Sequence, residues 1–194
     1  VSCITVSTSL SLLLPVMIHF AIDIFSIANS LPNISLKKYS DVCKRFSMSM
    51  QEFINTTESE YGSVFKLKDK YELIYNDSKD NKTNRFTVAH ELGHIILRHN
   101  LEDANEEKEA NCFARNILCP IPIINSLGLK TIVDYMTVFD VSAPMANASY
   151  NNQKSDDYYI NYGLYNTIDE LFYAYMSGTS INELYGIPAI NFYT

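Results

Sequence analysis

The sequence predicts a mixed α+β domain that is mostly helical, with a small β-sheet packed beside one buried helix. The chain has 194 residues and is 47% hydrophobic, which suits one domain with a core. Apolar residues recur at helical spacing in several segments, whereas residues 63–67 and 71–75 alternate apolar and polar residues as strands do. We divide the chain into an apolar N-terminal segment (1–30), a core (31–155) and a Tyr-rich helical tail (156–194) packed on the same domain.

The N-terminal segment is the most apolar part of the chain. Residues 1–22 contain no Asp, Glu, Lys or Arg. This length could span a bilayer, but Pro15 interrupts it, its first half is rich in Ser and Thr, and no basic segment precedes it. We therefore expect a buried helix from Val16 to Ser30 after a loose or non-native leader, in a cytoplasmic protein. A membrane anchor formed by residues 1–22 is the alternative.

Two helices and a hairpin are predicted next. Residues 35–58 place apolar side chains at helical spacing and predict two short helices. The two alternating segments flank a Lys68-Asp69-Lys70 turn, which is typical of a β-hairpin. We expect its second strand to lie near the buried helix that follows the polar loop 76–82. Edge strands offer free backbone donors and acceptors, so this hairpin either binds an extended peptide or only covers the core.

The C-terminal part predicts further helices. Pro122 can start a helix that runs to Leu127, Gly128 separates it from a helix over residues 130–139, and Ser142 can cap another helix toward Tyr150. The last of these has no Lys or Arg, so we expect no DNA recognition by it. In the tail, capping-box patterns begin at residues 167 and 180, and its tyrosines are expected to pack and hydrogen-bond.

Charge and cysteine usage exclude two classes of protein. The net charge of -7 argues against a protein that holds nucleic acid by its own field, because phosphate binding needs clustered Lys and Arg. Cys3, Cys43, Cys112 and Cys119 show neither close metal-pair spacing nor a dense disulfide framework, so we expect reduced, structural thiols. An approach of Cys112 to a metal is the less favoured alternative.

The motif His-Glu-x-x-His stands at residues 90–94, on the helix that we predict to be buried. At about 3.6 residues per turn, His90 and His94 lie on one face and can bind a single cation, most simply Zn²⁺. Glu91 points to the adjoining side, where it can accept a proton from an attacking water.

Thr83 or Asn84 can cap this helix, and Gly93 indicates close approach of another element. The competing interpretation is a pair of core histidines.

A third ligand must come from elsewhere in the chain. His99 lies off the face of His94, so we interpret it as a helix C-terminal residue favoured by the helix dipole. On a helical wheel through residues 106–118, Glu106 and Glu107 each lie roughly 50° from the apolar face, and either could supply the ligand. Glu107 has Asn111 four residues later, an amide that could orient a ligand.

These two helices together resemble the ImmA/IrrE family of zinc metallopeptidases. The resemblance rests on Arg85-Phe86-Thr87-Val88-Ala89-His90-Glu91-Leu92-Gly93-His94, on Glu107-Lys108-Glu109-Ala110-Asn111-Cys112-Phe113-Ala114 and on Leu118-Cys119-Pro120, and it covers roughly residues 60–150. It implies a zincin-like fold, Glu107 as the third ligand beside His90 and His94, and Glu91 as the catalytic base. Cys119 departs from the usual Met.

The resemblance also implies a function. We expect a zinc-dependent endopeptidase that cleaves a helix-turn-helix repressor of a mobile element, such as a prophage, or of a stress regulon. The partner would then be a protein substrate, with no direct contact to nucleic acid. A metallopeptidase-like module that binds a regulator or a toxin-antitoxin partner without cutting it is the alternative, although all four expected site residues are present.

Overall fold

The structure, a computed structural model, describes residues 20–99 and 103–157 together with residues 170, 177 and 178. It confirms a mostly helical α+β architecture with a small sheet. In chain order the elements are α1 (Ile24–Ser30), β1 (Ile34–Lys38), α2 (Tyr39–Phe46), α3 (Met50–Thr57), β2 (Gly62–Leu67), β3 (Lys70–Tyr75), α4 (Asn81–Leu97), α5 (Ala104–Leu118), α6 (Ile121–Leu127), α7 (Ile132–Phe139) and α8 (Ala143–Asp157).

The first helix is shorter than predicted. We expected it to begin at Val16, but α1 begins at Ile24, because Asp23 caps it by accepting a hydrogen bond from the Ser26 backbone N–H at 3.1 Å. Phe20 to Asp23 precede the helix without regular structure. The predicted leader, the start of the predicted helix and all but the last three residues of the alternative anchor (residues 1–22) fall on residues 1–19, outside the described part. Among the residues that are described, no helix is both long and apolar enough to cross a membrane.

The segment from Ser35 was predicted to be helical and is a strand. Residues 34–38 form β1, which pairs in parallel with β3 and places Leu36 opposite Leu73. The helical prediction was wrong here because Leu36 stands at helical spacing from Tyr39 but precedes α2, which starts only at Tyr39. Helices α2 and α3 otherwise follow the prediction.

The sheet has the order β1-β3-β2, with β2 antiparallel to β3. The predicted hairpin is confirmed, and its turn is formed by Lys68 and Asp69. In the described sheet, β3 is central and its apolar residues Leu73 and Ile74 are buried. Strand β2 therefore has a partner on one side and an edge on the other.

Helix α4 carries the His-Glu-x-x-His motif across the core. Its cap is Asp80, whose carboxylate accepts hydrogen bonds from the backbone N–H groups of Lys82 and Thr83, so the prediction of Thr83 or Asn84 as the cap was wrong. The helix begins one turn earlier, and the buried side chain of Asn84 instead donates to the Lys79 carbonyl at 3.0 Å.

A buried arginine fastens α4 to its surroundings. The Arg85 guanidinium donates hydrogen bonds to the backbone carbonyls of Ile22, Phe139 and Asp140. It thereby joins the segment before α1 and the C-terminal end of α7 to the first turns of α4. The position of α4 is fixed by these polar contacts as well as by the fully buried Val88 and Leu92.

The C-terminal helices follow the predicted order. Helices α6 and α7 are confirmed, with Gly128 in the left-handed conformation between them. Helix α8 continues to Asp157, seven residues beyond the predicted end at Tyr150, and the predicted boundary at residue 155 falls inside it. Arg115 of α5 holds the buried Asp156 carboxylate through two hydrogen bonds of 3.1 and 3.0 Å, which explains the extension. The predicted tail helices lie almost entirely outside the described residues.

Candidate metal centre

Two histidines of α4 stand one turn apart on the same side of the helix. The Nε2 atoms of His90 and His94 lie 3.1 Å apart, and their ring centroids are separated by 4.8 Å. The i, i+4 spacing places the rings one above the other, as expected from the sequence. Both side chains are largely buried, with 16% and 17% of their surfaces exposed.

Helix α5 brings a carboxylate to the same point. Glu107 Oε2 lies 3.4 Å from His90 Nε2, and Glu107 Oε1 lies 3.2 Å from His94 Nε2. The sequence left Glu106 and Glu107 open, and the structure places Glu107 with the two histidines. Helix α5 starts at the Asp103 cap, whose carboxylate accepts from the backbone N–H groups of Asn105 and Glu106.

A close approach of the two helices makes this meeting possible. A Cβ atom at Gly93 would lie 3.2 Å from the Ala110 Cα atom and 3.2 Å from Phe113 Cβ and Cδ1. A side chain at position 93 would therefore crowd α5, the helix that carries Glu107. The expectation that Gly93 marks a close approach is confirmed.

The spacing of these atoms fits a tetrahedral zinc ion. Zinc binds histidine nitrogen and carboxylate oxygen at about 2.0–2.1 Å, which puts neighbouring ligand atoms of a tetrahedron about 3.3 Å apart. The two imidazole nitrogens are 3.1 Å apart, and each lies 3.2–3.4 Å from a different oxygen of Glu107. One ligand atom from each of the three side chains lies within 4.8 Å of the other two. Two imidazoles and one carboxylate are also donors that zinc accepts, and a fourth position is left for a water or substrate atom.

The surroundings of His90 favour a neutral ring. Burial lowers the pKa of His90, while the Glu107 carboxylate raises it and His94 lowers it further. A neutral imidazole is the form that binds a metal. The Asn111 side chain lies beside His90 and also raises its pKa. The buried Nδ1 of His90 nevertheless has no hydrogen-bond partner within the described chain, so Asn111 does not orient the ring through that atom.

Glu91 lies at a cavity next to the histidines. A cavity of about 340 Å³ is lined by Ser59, Tyr61, Thr83, Phe86, Thr87, His90 and Glu91. Strand β2 closes one side of it, because a Cβ atom at Gly62 would lie only 2.5 Å from Thr87 Cγ2 and 3.6 Å from Glu91 Cγ. A carboxylate that borders an open cavity beside two histidines is placed to exchange protons with a molecule in that cavity.

The contact between His99 and His94 was not predicted from the sequence. Arg98 ends α4 in the left-handed conformation, with φ 60° and ψ 40°, and this turn returns His99 to the side of His94. The Nδ1 atoms of His94 and His99 are 3.0 Å apart, and His99 Nε2 lies 3.2 Å from Glu109 Oε2. His99 does follow the C-terminal end of α4, but the prediction that it lies off the face of His94 was wrong. The helical wheel does not apply beyond the end of the helix. The left-handed turn was not predictable either, because it is formed by Arg98 and not by a glycine.

Cys112 does not approach the histidine pair. Its thiol lies 3.5 Å from Asp156 Oδ1 and 3.5 Å from the side-chain amide of Asn116. Burial and the nearby Asp156 raise the pKa of the Cys112 thiol. Within the described chain, His90, His94 and Glu107 form the group of side chains that could hold a metal ion.

Comparison with known proteins agrees with this site. The family model described as the IrrE N-terminal-like domain, a peptidase family, matches residues 43–148, which is more than half of the chain. The matched span contains every residue of the candidate centre. Comparisons with curated proteins and with solved structures give no match. The sequence, the geometry and the match agree, and the chain belongs to the metallopeptidase-like ImmA/IrrE family.

Proposed function

We propose that the protein is a zinc-dependent endopeptidase in which His90, His94 and Glu107 hold the metal and Glu91 is the catalytic base. The observation that carries the proposal is the meeting of two imidazole nitrogens, 3.1 Å apart, with the carboxylate of Glu107, which has one oxygen 3.4 Å from His90 Nε2 and the other 3.2 Å from His94 Nε2. Glu91 borders the cavity beside this set without belonging to it.

The roles follow from the positions of the side chains. When bound, zinc supplies Lewis acidity that polarises the scissile carbonyl and lowers the pKa of a water. Glu91 accepts one proton as the water oxygen bonds to the carbonyl carbon. The same carboxyl then donates that proton to the leaving nitrogen as the C–N bond breaks. One peptide bond and one water thus give one carboxylic acid and one amine.

Strand β2 supports binding of an extended substrate. It is an edge of the described sheet, and its start at Gly62 adjoins Glu91. An extended peptide that pairs with this edge would pass the cavity beside the histidines. The Tyr61 and Phe86 rings line that cavity, so we expect a preference for an apolar side chain next to the scissile bond.

The family and the charge of the chain support a proposal for the substrate. Members of the family resemble proteases of helix-turn-helix repressors, and a repressor of a mobile element or stress regulon, encoded nearby and present in the cytoplasm, is the substrate that we propose. The net charge of -7 is compatible with a protein partner and unfavourable for direct DNA binding.

Incubation with the neighbouring repressor tests this function. The purified chain with zinc should make one cut, and a chelator should abolish it. Glu91→Gln should still bind zinc and bind the repressor but not cut it, because an amide cannot accept the proton from water. Full activity of Glu91→Gln would refute the mechanism. A wild-type chain that binds the repressor stoichiometrically with and without zinc, and cuts nothing, would instead favour a non-cleaving binding module.

A further inference from the structure

A row of three polar side chains leads away from the candidate metal centre through the ring of His94. His94 presents Nε2 to Glu107 and His90, and its other nitrogen, Nδ1, lies 3.0 Å from His99 Nδ1. His99 Nε2 lies 3.2 Å from Glu109 Oε2. The His94 and His99 rings are nearly perpendicular, at 79° with centroids 4.9 Å apart. The row therefore runs from the centre through His94 and His99 to Glu109.

The direction of these hydrogen bonds is set by counting protons. A carboxylate only accepts, so His99 Nε2 must carry the proton that Glu109 receives. A neutral His99 then has a lone pair on Nδ1, and the proton between the two rings must belong to His94 Nδ1. His94 is thereby left with a lone pair on Nε2. This assignment gives one proton to each of the two contacts of the row, His94 Nδ1–His99 Nδ1 and His99 Nε2–Glu109 Oε2, and leaves His94 Nε2 free to bind a metal.

We propose that His99 and Glu109 are positioning residues that hold His94 in the tautomer and orientation needed to bind the metal. This inference rests on the proposed zinc site and deepens it. Histidine ligands of metals generally donate their other N–H to an acceptor, and loss of that acceptor weakens metal binding about 10–100-fold. The acceptor here is a second histidine, whose own orientation is set by a carboxylate of α5.

The structure supports a specific role for His99 over simple packing. The side chain of His99 is 6% exposed, yet both ring nitrogens have polar partners. Its backbone N–H also donates to the His94 carbonyl at 3.0 Å, which holds the left-handed turn at Arg98. His90 offers a contrast, because its buried Nδ1 lacks a hydrogen-bond partner within the described chain. The contacts through His99 and Glu109 lead to His94 Nδ1.

Zinc affinity of three variants tests the inference. His99→Ala should lower the affinity, measured by competition with a chromophoric chelator, about 10–100-fold. His99→Asn places a carbonyl oxygen near the position of Nδ1 and can accept the same proton, so it should bind zinc within about threefold of the wild-type affinity. Glu109→Gln should weaken binding less than His99→Ala, because an amide can donate as well as accept and no longer fixes the direction of the chain. Glu106→Gln on the same helix is the control and should bind as the wild type does.

A spectroscopic measurement gives a second readout that packing alone would not affect. In the zinc-loaded, ¹⁵N-labelled protein, a coupling across the hydrogen bond should connect His94 Nδ1 with His99 Nδ1. It should be absent from His99→Ala. Equal zinc affinity of His99→Ala and wild type, equal loss in His99→Asn and His99→Ala, or no coupling in the wild type would overturn the proposal. Failure of the wild-type chain to bind zinc would instead refute the proposed metal site.

Discussion

Gly93→Ala should separate metal binding from folding. The added Cβ would lie 3.2 Å from Ala110 Cα and from two atoms of Phe113. Carbon atoms pack at about 3.5–4.0 Å, so we expect α4 and α5 to separate by a few tenths of an ångström, about 0.3 Å or more. Glu107 lies one turn before Ala110 on α5 and would move with it.

The size of this movement decides the expected effect. Zinc–ligand distances tolerate deviations of about 0.2 Å, so the displacement of Glu107 exceeds what the site accepts. We expect the zinc affinity to fall about 10–100-fold, as it does when the support of a ligand is disturbed. Ala is favoured over Gly inside a helix by about 1 kcal/mol, which offsets part of the cost of the contacts and leaves the chain folded.

Two assays and one control check this reasoning. Zinc affinity is measured by chelator competition, and the free energy of unfolding of the metal-free protein by urea titration. Gly128→Ala is the control, because nothing lies within 4 Å of its added Cβ but its φ of 62° disfavours a side chain. It should lose about 1–2 kcal/mol of stability and keep its zinc affinity. A Gly93→Ala protein with unchanged zinc affinity would refute the claim that this glycine sets the spacing of the site.

Three further predictions concern single residues. Glu107→Gln should weaken zinc binding about 10²–10³-fold. The reason is that zinc sites bind with a free energy of about 10–16 kcal/mol, of which one of four ligands contributes about 2.5–4 kcal/mol. Glu106→Gln is the control and should bind zinc normally in the same titration. Arg85→Met should lower the free energy of unfolding in urea by about 2–4 kcal/mol, because it removes the donors to three backbone carbonyls. A loss below about 0.5 kcal/mol, the usual size of the effect of a surface substitution, would contradict that role. Burial lowers the pKa of His90, so the unfolded metal-free chain takes up its proton at higher pH than the folded chain does. The resulting stability is fully present above about pH 6.5 and is lost as the pH falls below it; His90→Gln should flatten this dependence, and an unchanged curve would argue against a buried neutral ring.

Local patterns predicted the parts of the structure that depend on local geometry. The spacing of His90 and His94 fixes their shared helix face, and the alternation around Lys68 and Asp69 fixes the hairpin. The helical wheel of the second motif helix reduced the candidates for the third metal ligand to Glu106 and Glu107. The choice of Glu107 came from its neighbour Asn111 and from the resemblance to the family, and the structure places Glu107 with the histidines.

Features that depend on distant contacts or on the end of a helix were not predictable in this way. Strand β1 is specified by parallel pairing with β3, whose partner residues lie 37 positions further along the chain, and its own residues carry only a short apolar alternation. Asp80, Thr83 and Asn84 are all good capping residues, and the sequence does not say which one ends the loop. The contact of His99 with His94 depends on a left-handed turn at Arg98, and arginine rarely adopts that conformation.

The zinc content of the purified chain tests the account most directly. Metal analysis of the wild-type protein and of His94→Ala, both shown to be folded by their unfolding transitions, measures whether the three side chains form one site. We expect one zinc ion per wild-type chain and almost none in His94→Ala. A folded wild-type chain without zinc, or equal zinc in the two proteins, would contradict the account.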